Sequence, residues 1–123
     1  MKNRLPSLLI VEDDRATREG LARSLGENRN VIVASRIEEA ISLLDSQSFD
    51  AIVTDLRILG KSGLKVVDKA LTLARKPAVF VMTAYGSIDA AIESMKHGAV
   101  DFLTKPLDLE KLEILIQRAE RRL

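Results

Sequence analysis

The sequence predicts an α/β domain, a three-layer sandwich in which helices cover both faces of a five-stranded parallel sheet. The first observation is that five short apolar or β-branched runs alternate with five segments of helical periodicity, in units of roughly 20 to 25 residues. The second is that the strands are nearly continuous apolar runs, which is typical of strands buried on both faces. These connections favour right-handed crossovers between parallel strands, and we expect the strand order 2-1-3-4-5.

Length and composition fit one globular domain covering residues 1–123. The 19 basic and 18 acidic side chains leave a net charge of +1, so charge gives no reason to expect direct nucleic-acid binding. The absence of cysteine excludes disulfides and thiolate metal ligands, and it is compatible with a reducing cytoplasm. No long apolar segment is typical of a signal peptide or a membrane span. We therefore expect a cytoplasmic protein without a membrane partner.

The first unit begins with an apolar run at residues 8–11, which predicts strand one. The three side chains after this run are carboxylates: Glu12, Asp13 and Asp14. The periodicity predicts the first helix over residues 15–25, with Gly26 placed to end it. Asp14 fits either the N-cap of this helix or a direct metal role.

The second unit begins with a short strand at residues 31–33. Ser35 and Glu38, three residues apart, predict a capping box at the start of the second helix. The apolar stripe of this helix consists of Ile37, Ala40, Ile41 and Leu44.

The third unit is the one around which the others are arranged. Four apolar or β-branched residues, 51–54, lead directly into the lone carboxylate of Asp55, which predicts a central strand ending at that residue. A loop bracketed by Gly60 and Gly63 follows, and Pro77 prevents the third helix from continuing past it. The apolar stripe of this helix consists of Leu64, Val67, Ala70 and Leu71.

The fourth unit begins with a strand over residues 78–82 that ends in Thr83. Ser87 is a suitable N-cap for the helix that follows. We expect His97, beside Gly98, to be an exposed residue at the end of this helix that interacts with its dipole. The predicted core stripe of the helix consists of Ile88, Ala91, Ile92 and Met95.

The last unit is a strand over residues 101–104, followed by a turn at Lys105 and Pro106. Asp108 can cap the final helix. The stripe of this helix consists of Leu112, Leu115, Ile116 and Ala119.

The predicted strand order brings polar residues from different units to one edge of the sheet. Strands one and three become neighbours, so Glu12, Asp13 and Asp55 should meet in the crevice outside their carboxyl ends. Packed carboxylates repel one another, so at least one should have a raised pKa unless a cation is present. Magnesium accepts oxygen ligands of this kind. The single histidine and the absence of cysteine argue against a zinc-type site.

Thr83 and Lys105 end strands four and five, and they should arrive at the same edge. A cation, an ammonium group and a hydroxyl together supply the charge neutralisation and positioning that phosphoryl transfer requires. Carboxylates also form acyl phosphates, so Asp55 itself can be the phosphoryl acceptor.

The ordered set of Glu12-Asp13, Asp55, Thr83-Ala84 and Lys105-Pro106 resembles the receiver domains of two-component response regulators, which have a flavodoxin-like fold. The resemblance extends from residue 8 to about residue 119. The stretches 84–91 and 98–106 are most similar to receivers of the nitrogen-regulator (NtrC) type.

The resemblance implies a role for each of these residues. Asp55 would take a phosphoryl group from a sensor histidine kinase. Asp13 and Asp55 would ligate Mg²⁺ directly, with Glu12 acting through water and the Arg57 backbone carbonyl as a further ligand. The implied phosphoryl partners are Thr83 and Lys105, the implied switch residues are Thr83 and Phe102, and the Lys105–Pro106 peptide bond would be cis.

The resemblance also implies an output. Phosphorylation would change a surface made of the fourth helix, the last strand and the start of the last helix, and it would control homodimerisation and transcription. We expect Ala90, Ser94, His97 and Val100 on the outer side of this surface. The sequence departs from the family where many receivers have Met-Pro, because Ile58 and Leu59 stand there, and we expect a less constrained loop.

Other functions remain as alternatives. The chain could be a stand-alone or kinase-fused receiver that acts through protein contacts, with slow self-dephosphorylation as its only activity. A magnesium-dependent phosphohydrolase using an aspartyl phosphate would need a second Asp two residues after Asp55, where this chain has Arg57. Flavin binding would need a phosphate-cradling loop after strand one, where this chain has three carboxylates that would repel an anion.

Overall fold

The computed structural model describes residues 4–84 and 88–121, which form seven strands and five helices. In chain order these elements are β1 (Ser7–Val11), α1 (Arg15–Leu25), β2 (Asn30–Ala34), α2 (Ile37–Ser46), β3 (Ala51–Asp55), β4 (Arg57–Ile58), β5 (Lys61–Ser62), α3 (Leu64–Leu71), β6 (Ala78–Thr83), α4 (Ile88–Lys96), β7 (Asp101–Thr104) and α5 (Leu109–Glu120).

The main sheet has the order β2-β1-β3-β6-β7, and all of its strand pairs are parallel. Because β4 and β5 form a separate hairpin, this order is the predicted 2-1-3-4-5 arrangement of the main strands. β3 is buried along its whole length, as expected for a central strand covered on both faces. The predicted fold class and strand order are therefore confirmed.

Two hydrophobic clusters fill the spaces between the three layers. One lies between the sheet and α2, α3 and α4, and it includes Leu9, Ile52, Val67 and Ala91. The other lies between the sheet and α1 and α5, and it includes Leu21, Val53, Phe80 and Leu112. Leu8 and Leu9, which are neighbours in β1, belong to different clusters because successive side chains of a strand point to opposite faces.

The N-terminal caps differ partly from the expected ones. Asp14 and Asp108 accept hydrogen bonds from Thr17 N (2.9 Å) and Lys111 N (3.1 Å), so both cap their helices. The capping box of Ser35 and Glu38 was a wrong prediction. The N-cap of α2 is Arg36, so its third helical residue is Glu39, whose Oε1 accepts the Ser35 N–H at 3.0 Å. The predicted cap of α4, Ser87, lies outside the described residues.

The predicted core stripe of α4 was also largely wrong. Ile88, Ile92 and Met95 are 44%, 46% and 39% exposed, and the buried residues of α4 are Ala91 and Ser94. The apolar periodicity predicted that the large side chains would face the sheet, but the small residues Ala91 and Ser94 form the side that packs there. The larger apolar residues therefore remain at the surface of the described part of the molecule.

His97, which follows α4, makes specific contacts that the sequence did not indicate. Its Nδ1 lies 2.7 Å from Asp68 Oδ1 of α3, and its Nε2 lies 3.2 Å from Glu93 Oε2 of α4. The contact with Asp68 raises the pKa of His97, and the contact with Glu93 raises it further. His97 thus joins two helices and is not simply an exposed helix end.

Within the described ranges, no helix combines the length and the apolar character needed to cross a bilayer.

One buried arginine links the last helix to the segment between α1 and β2. The Arg29 side chain is only 4% exposed, and its guanidinium binds Glu113 and Glu120 of α5 at 2.5 and 2.6 Å. It also donates to the Leu25 carbonyl at 3.2 Å. The hydrogen bond from Arg29 lowers the pKa of Glu113 below its ordinary value of 4.5. This network fastens α5 to the segment between α1 and β2.

We expect Arg29→Ala to lower the free energy of unfolding by roughly 2 kcal/mol at pH 7, because it leaves two carboxylates without their cation and removes a buried side chain. Urea unfolding measures this change. The matched control is Arg15→Ala, whose pair with Glu19 is exposed on α1 and should contribute nothing measurable.

The same comparison has a defined pH dependence. The pKa of Glu113 is lower in the folded state than its ordinary value of 4.5. The ion pair with Arg29 therefore contributes fully to stability above pH 4.5, and this contribution is lost as the pH falls through the pKa of the folded state. The stability difference between wild type and Arg29→Ala should therefore narrow in acid. A difference that stays constant down to about pH 3 would contradict this assignment.

Candidate functional site

Three carboxylates meet at the carboxyl edge of the sheet. Glu12 and Asp13 directly follow β1, and Asp55 is the last residue of β3, which pairs with β1. One oxygen from each carboxylate can be chosen so that all lie within 4.8 Å of one another. Among the described residues this group could hold a metal ion, because its ligands are hard oxygens. Asp14, by contrast, uses its carboxylate as the α1 cap.

Lys105 neutralises the buried part of this cluster. Its Nζ lies 2.8 Å from Glu12 Oε1 and 2.7 Å from Asp55 Oδ2. Glu12 is completely buried, so loss of hydration raises its pKa, although the hydrogen bonds from Lys105 and from the Asp14 N–H act in the opposite direction. Burial would lower the pKa of Lys105, but its hydrogen bonds to Asp55 and Glu12 outweigh burial and raise it.

Asp13 is held differently. Its Oδ2 accepts the backbone N–H of Leu59 at 2.8 Å, and this hydrogen bond lowers the pKa of Asp13. The Leu59 N–H donates to Asp13 Oδ2, and Lys105 Nζ donates to Asp55 Oδ2. All three carboxylates are hard oxygen donors, so the donor set fits a hard divalent ion.

A cavity of about 490 Å³ opens beside Asp55. Thr83 and Lys105 line it, as does Arg57 of β4, so the structure brings the predicted edge residues together. Ala90 and Glu93 of α4 also line it. A larger and more apolar cavity of about 610 Å³ lies between α1 and residues 105–109, but it contacts none of the three carboxylates. Of these two cavities, only the smaller one is lined by a member of the carboxylate cluster, Asp55.

The structure also places the predicted switch residues Thr83 and Phe102 and the Lys105–Pro106 bond. Thr83 is buried, and its Oγ1 donates to the Ala84 carbonyl at 3.4 Å. Phe102 is partly buried on β7 and packs against the cluster on the α2–α4 side of the sheet. The Lys105–Pro106 peptide bond is cis, as the resemblance implied.

Some contributors to the site were not identified from the sequence. Gly63 lies against the Asp55 backbone, because a Cβ atom at this position would be 2.0 Å from the Asp55 carbonyl oxygen. Its N–H also donates to the Leu56 carbonyl at 2.7 Å. Arg18 donates to the carbonyl of Glu12 at 3.0 Å, and so steadies the β1–α1 loop. The glycine was visible as a loop marker, but its close approach to Asp55 depends on the fold.

The fold and the site together define a class: a doubly wound α/β domain with an acidic crevice at the switch point between its two central strands. Residues 8–117 match the family of the response regulator receiver domain. The chain therefore belongs to the response regulator receiver family, and the predicted resemblance is confirmed.

Individual relatives agree with this assignment. The chain is 41% identical over 114 residues to the response regulator protein PilR of Pseudomonas aeruginosa, covering 92% of this chain and 26% of PilR. It is 33% identical over 113 residues to the transcriptional regulatory protein ZraR of Escherichia coli, covering 91% and 26%. It is 38% identical over 116 residues to a cyclic di-GMP phosphodiesterase of Thermotoga maritima, covering 94% and 31%. The chain thus spans about a quarter to a third of these relatives.

Solved structures show the same fold. A response regulator receiver domain from Clostridium thermocellum superposes with a TM-score of 0.88 at 27% identity, covering 96% of each chain. The beryllofluoride-activated NtrC4 receiver domain dimer gives a TM-score of 0.85 at 27% identity, covering 94% of this chain and 97% of that one.

We expect Gly63→Ala to destabilise the protein by roughly 1–3 kcal/mol, because the added methyl group must displace the Asp55 backbone. The variant should also shift the backbone amide resonances around Asp55. The matched control is Gly20→Ala in α1, where an added methyl group meets nothing within 4 Å among the described residues. That change should stabilise the helix by roughly 0.5–1 kcal/mol. Equal stability of the two variants would contradict the proposed close approach.

Proposed function

We propose that this chain is the phosphorylation-activated switch of a two-component system, in which Asp55 accepts a phosphoryl group from a phosphohistidine of a sensor histidine kinase. The observation that carries the proposal is the position of Lys105 Nζ, which bridges Asp55 and Glu12 beside a cavity that Thr83 also lines. A carboxylate, an ammonium group and a hydroxyl around one opening are the groups that phosphoryl transfer uses.

The transfer breaks the P–N bond of the phosphohistidine and forms a P–O bond to an oxygen of Asp55. The released imidazole keeps the electron pair of the broken bond and takes a proton from solvent. Lys105 pairs with one phosphoryl oxygen, and the Thr83 hydroxyl donates to another. Water later hydrolyses the acyl phosphate slowly, which releases inorganic phosphate and restores the Asp55 carboxylate, so the functional output of the domain is a changed surface.

Mg²⁺ is the cation that we assign to the acidic cluster. Asp13 and Asp55 would hold it directly, Glu12 would act through water, and the Arg57 backbone carbonyl would complete the protein ligands. When bound, the ion would neutralise charge on the transferred group. The oxygen-only donor set of the cluster supports this choice.

The output surface is α4, β7 and the start of α5. Among the residues expected to contact a partner, Ala90 and Val100 are exposed and His97 is partly exposed, but Ser94 is completely buried and is excluded. The exposed side chains of Ile88, Ile92 and Met95 provide apolar area there. A phosphoryl group that draws Thr83 towards it gives the ring of Phe102 space to turn, and this biases an existing equilibrium between two states.

The partner of this surface is a second copy of the domain, and the downstream process is transcription in the cytoplasm. The beryllofluoride-activated NtrC4 receiver, which has the same fold, is a dimer. The name of ZraR as a transcriptional regulatory protein supports the transcriptional role. The assigned output requires no direct nucleic-acid contact by this domain, and the net charge of +1 gives no reason to expect such a contact.

Asp55→Asn should abolish phosphorylation, because the amide removes the nucleophilic oxygen. After incubation with acetyl phosphate and Mg²⁺, intact-mass measurement should show a phosphoryl adduct on the wild type and none on the variant. Asp14→Asn is the matched control. It changes an acid beside the site that serves as a helix cap, and asparagine caps equally well, so its adduct should remain. An adduct on Asp55→Asn would refute the assignment.

Beryllofluoride should promote self-association through the α4–β7 surface. Sedimentation should show a larger species for the activated wild type and a reduced response for Phe102→Ala. Ile92→Glu should prevent association by placing a charge on α4. Val33→Glu, at an exposed apolar position on the opposite edge strand β2, should not prevent it. The surface is wrong if neither association nor hydrogen exchange in α4 and β7 responds to beryllofluoride.

A further inference from the structure

The loop after Asp55 is a tight hairpin turn with an unusual occupant. Ile58 pairs with Lys61, so the β4–β5 connection has two residues, Leu59 and Gly60. Their φ angles are +51° and +79°. Positive φ at both central residues is the pattern of a type I′ turn, which favours Asn, Asp or Gly at the first position. The loop predicted to be less constrained is therefore a defined hairpin.

Leucine is poorly suited to this conformation, because its Cβ crowds the backbone in the left-handed region. Burial of the side chain does not compensate, since Leu59 is 61% exposed. The backbone N–H of Leu59, however, makes a hydrogen bond to Asp13 Oδ2 at 2.8 Å, across 46 positions of sequence. The turn thus delivers a main-chain donor to one of the three carboxylates.

The hydrogen bond fixes the Oδ2 atom of a carboxylate that, in the proposed function, binds the cation. Groups that hold a metal ligand from behind fix its orientation, and their loss commonly reduces metal affinity. Lys105 binds Glu12 and Asp55 but makes no hydrogen bond to Asp13 among the described contacts. The Leu59 N–H is the hydrogen-bond donor that holds Asp13.

We propose that the backbone N–H of Leu59 is a positioning group for Asp13, and that the hairpin turn sets the cation affinity of the acidic cluster. This role rests on the proposed function, in which Asp13 binds Mg²⁺. Proline, which many receivers have at the position of Leu59, could neither adopt the positive φ nor donate a hydrogen bond. The departure from the family pattern thus gives this chain a contact that proline cannot make.

The sharpest test replaces the Leu59 N–H by an ester oxygen, which removes the donor but keeps the side chain. The Kd for Mg²⁺, measured by titration of backbone amide resonances, should rise about ten-fold or more. Leu59→Gly is the matched control: it keeps the N–H, suits positive φ and should leave the Kd within about two-fold of wild type. The resonance of the Leu59 amide proton in the wild type should shift when Mg²⁺ is added. The same resonance should also differ between the wild type and Asp13→Asn.

Urea unfolding and the amide spectrum establish that the ester variant is folded. Leu59→Pro removes the same donor and also forces the turn out of its positive φ, so its Kd should rise at least as much as that of the ester. An unchanged Kd in a folded ester variant overturns the positioning role while leaving the proposed function intact. Absence of Mg²⁺ binding by the wild type overturns the proposed function, and this role with it.

Discussion

The concentration of negative charge at one sheet edge is the constraint on which the site depends. Glu12 is completely buried and Asp55 nearly so, and ionised carboxylates in such positions are costly unless a cation compensates them. Lys105 supplies that compensation by contacting both. The arrangement remains charge-rich at its outer side, where Asp13 adds a third carboxylate. The carboxylates at this edge have the charge that attracts a divalent cation, and the ammonium group of Lys105 has the charge that attracts a phosphoryl group.

The parallel sheet is what makes this concentration possible. The carboxyl ends of β1, β3, β6 and β7 all lie at one edge of the sheet. Residues far apart in sequence therefore become neighbours there without long side chains or extended loops. The site consequently lies among loops, and a separate contact holds each of these loops in place. Arg18 bonds the β1–α1 loop, Gly63 packs on the Asp55 backbone, and the hairpin turn reaches Asp13.

The outer face of the molecule follows from packing of another kind. α4 meets the sheet through Ala91 and Ser94, which are small, so its larger apolar residues stay exposed. A helix that packs on the sheet through small side chains loses little burial when it moves, and this is the behaviour expected of a switching element. Glu93 reaches from this helix to the wall of the Asp55 cavity and also to His97. The same helix therefore faces the Asp55 cavity on one side and solvent on the other.

The sequence by itself determined the order of strands and helices and the edge at which Glu12, Asp13, Asp55, Thr83 and Lys105 meet. Buried strands require apolar runs, and parallel topology then dictates where those runs end. The tertiary structure alone decided which side of α4 is buried, that Arg29 binds α5, and that Leu59 donates to Asp13. The Arg29 and Leu59 contacts join residues 46 to 91 positions apart, and Leu59 also has a positive φ angle, neither of which local periodicity records. The apolar pattern of the sequence thus specified the fold and the position of the site, whereas contacts between distant residues specified how the side chains of the site are oriented.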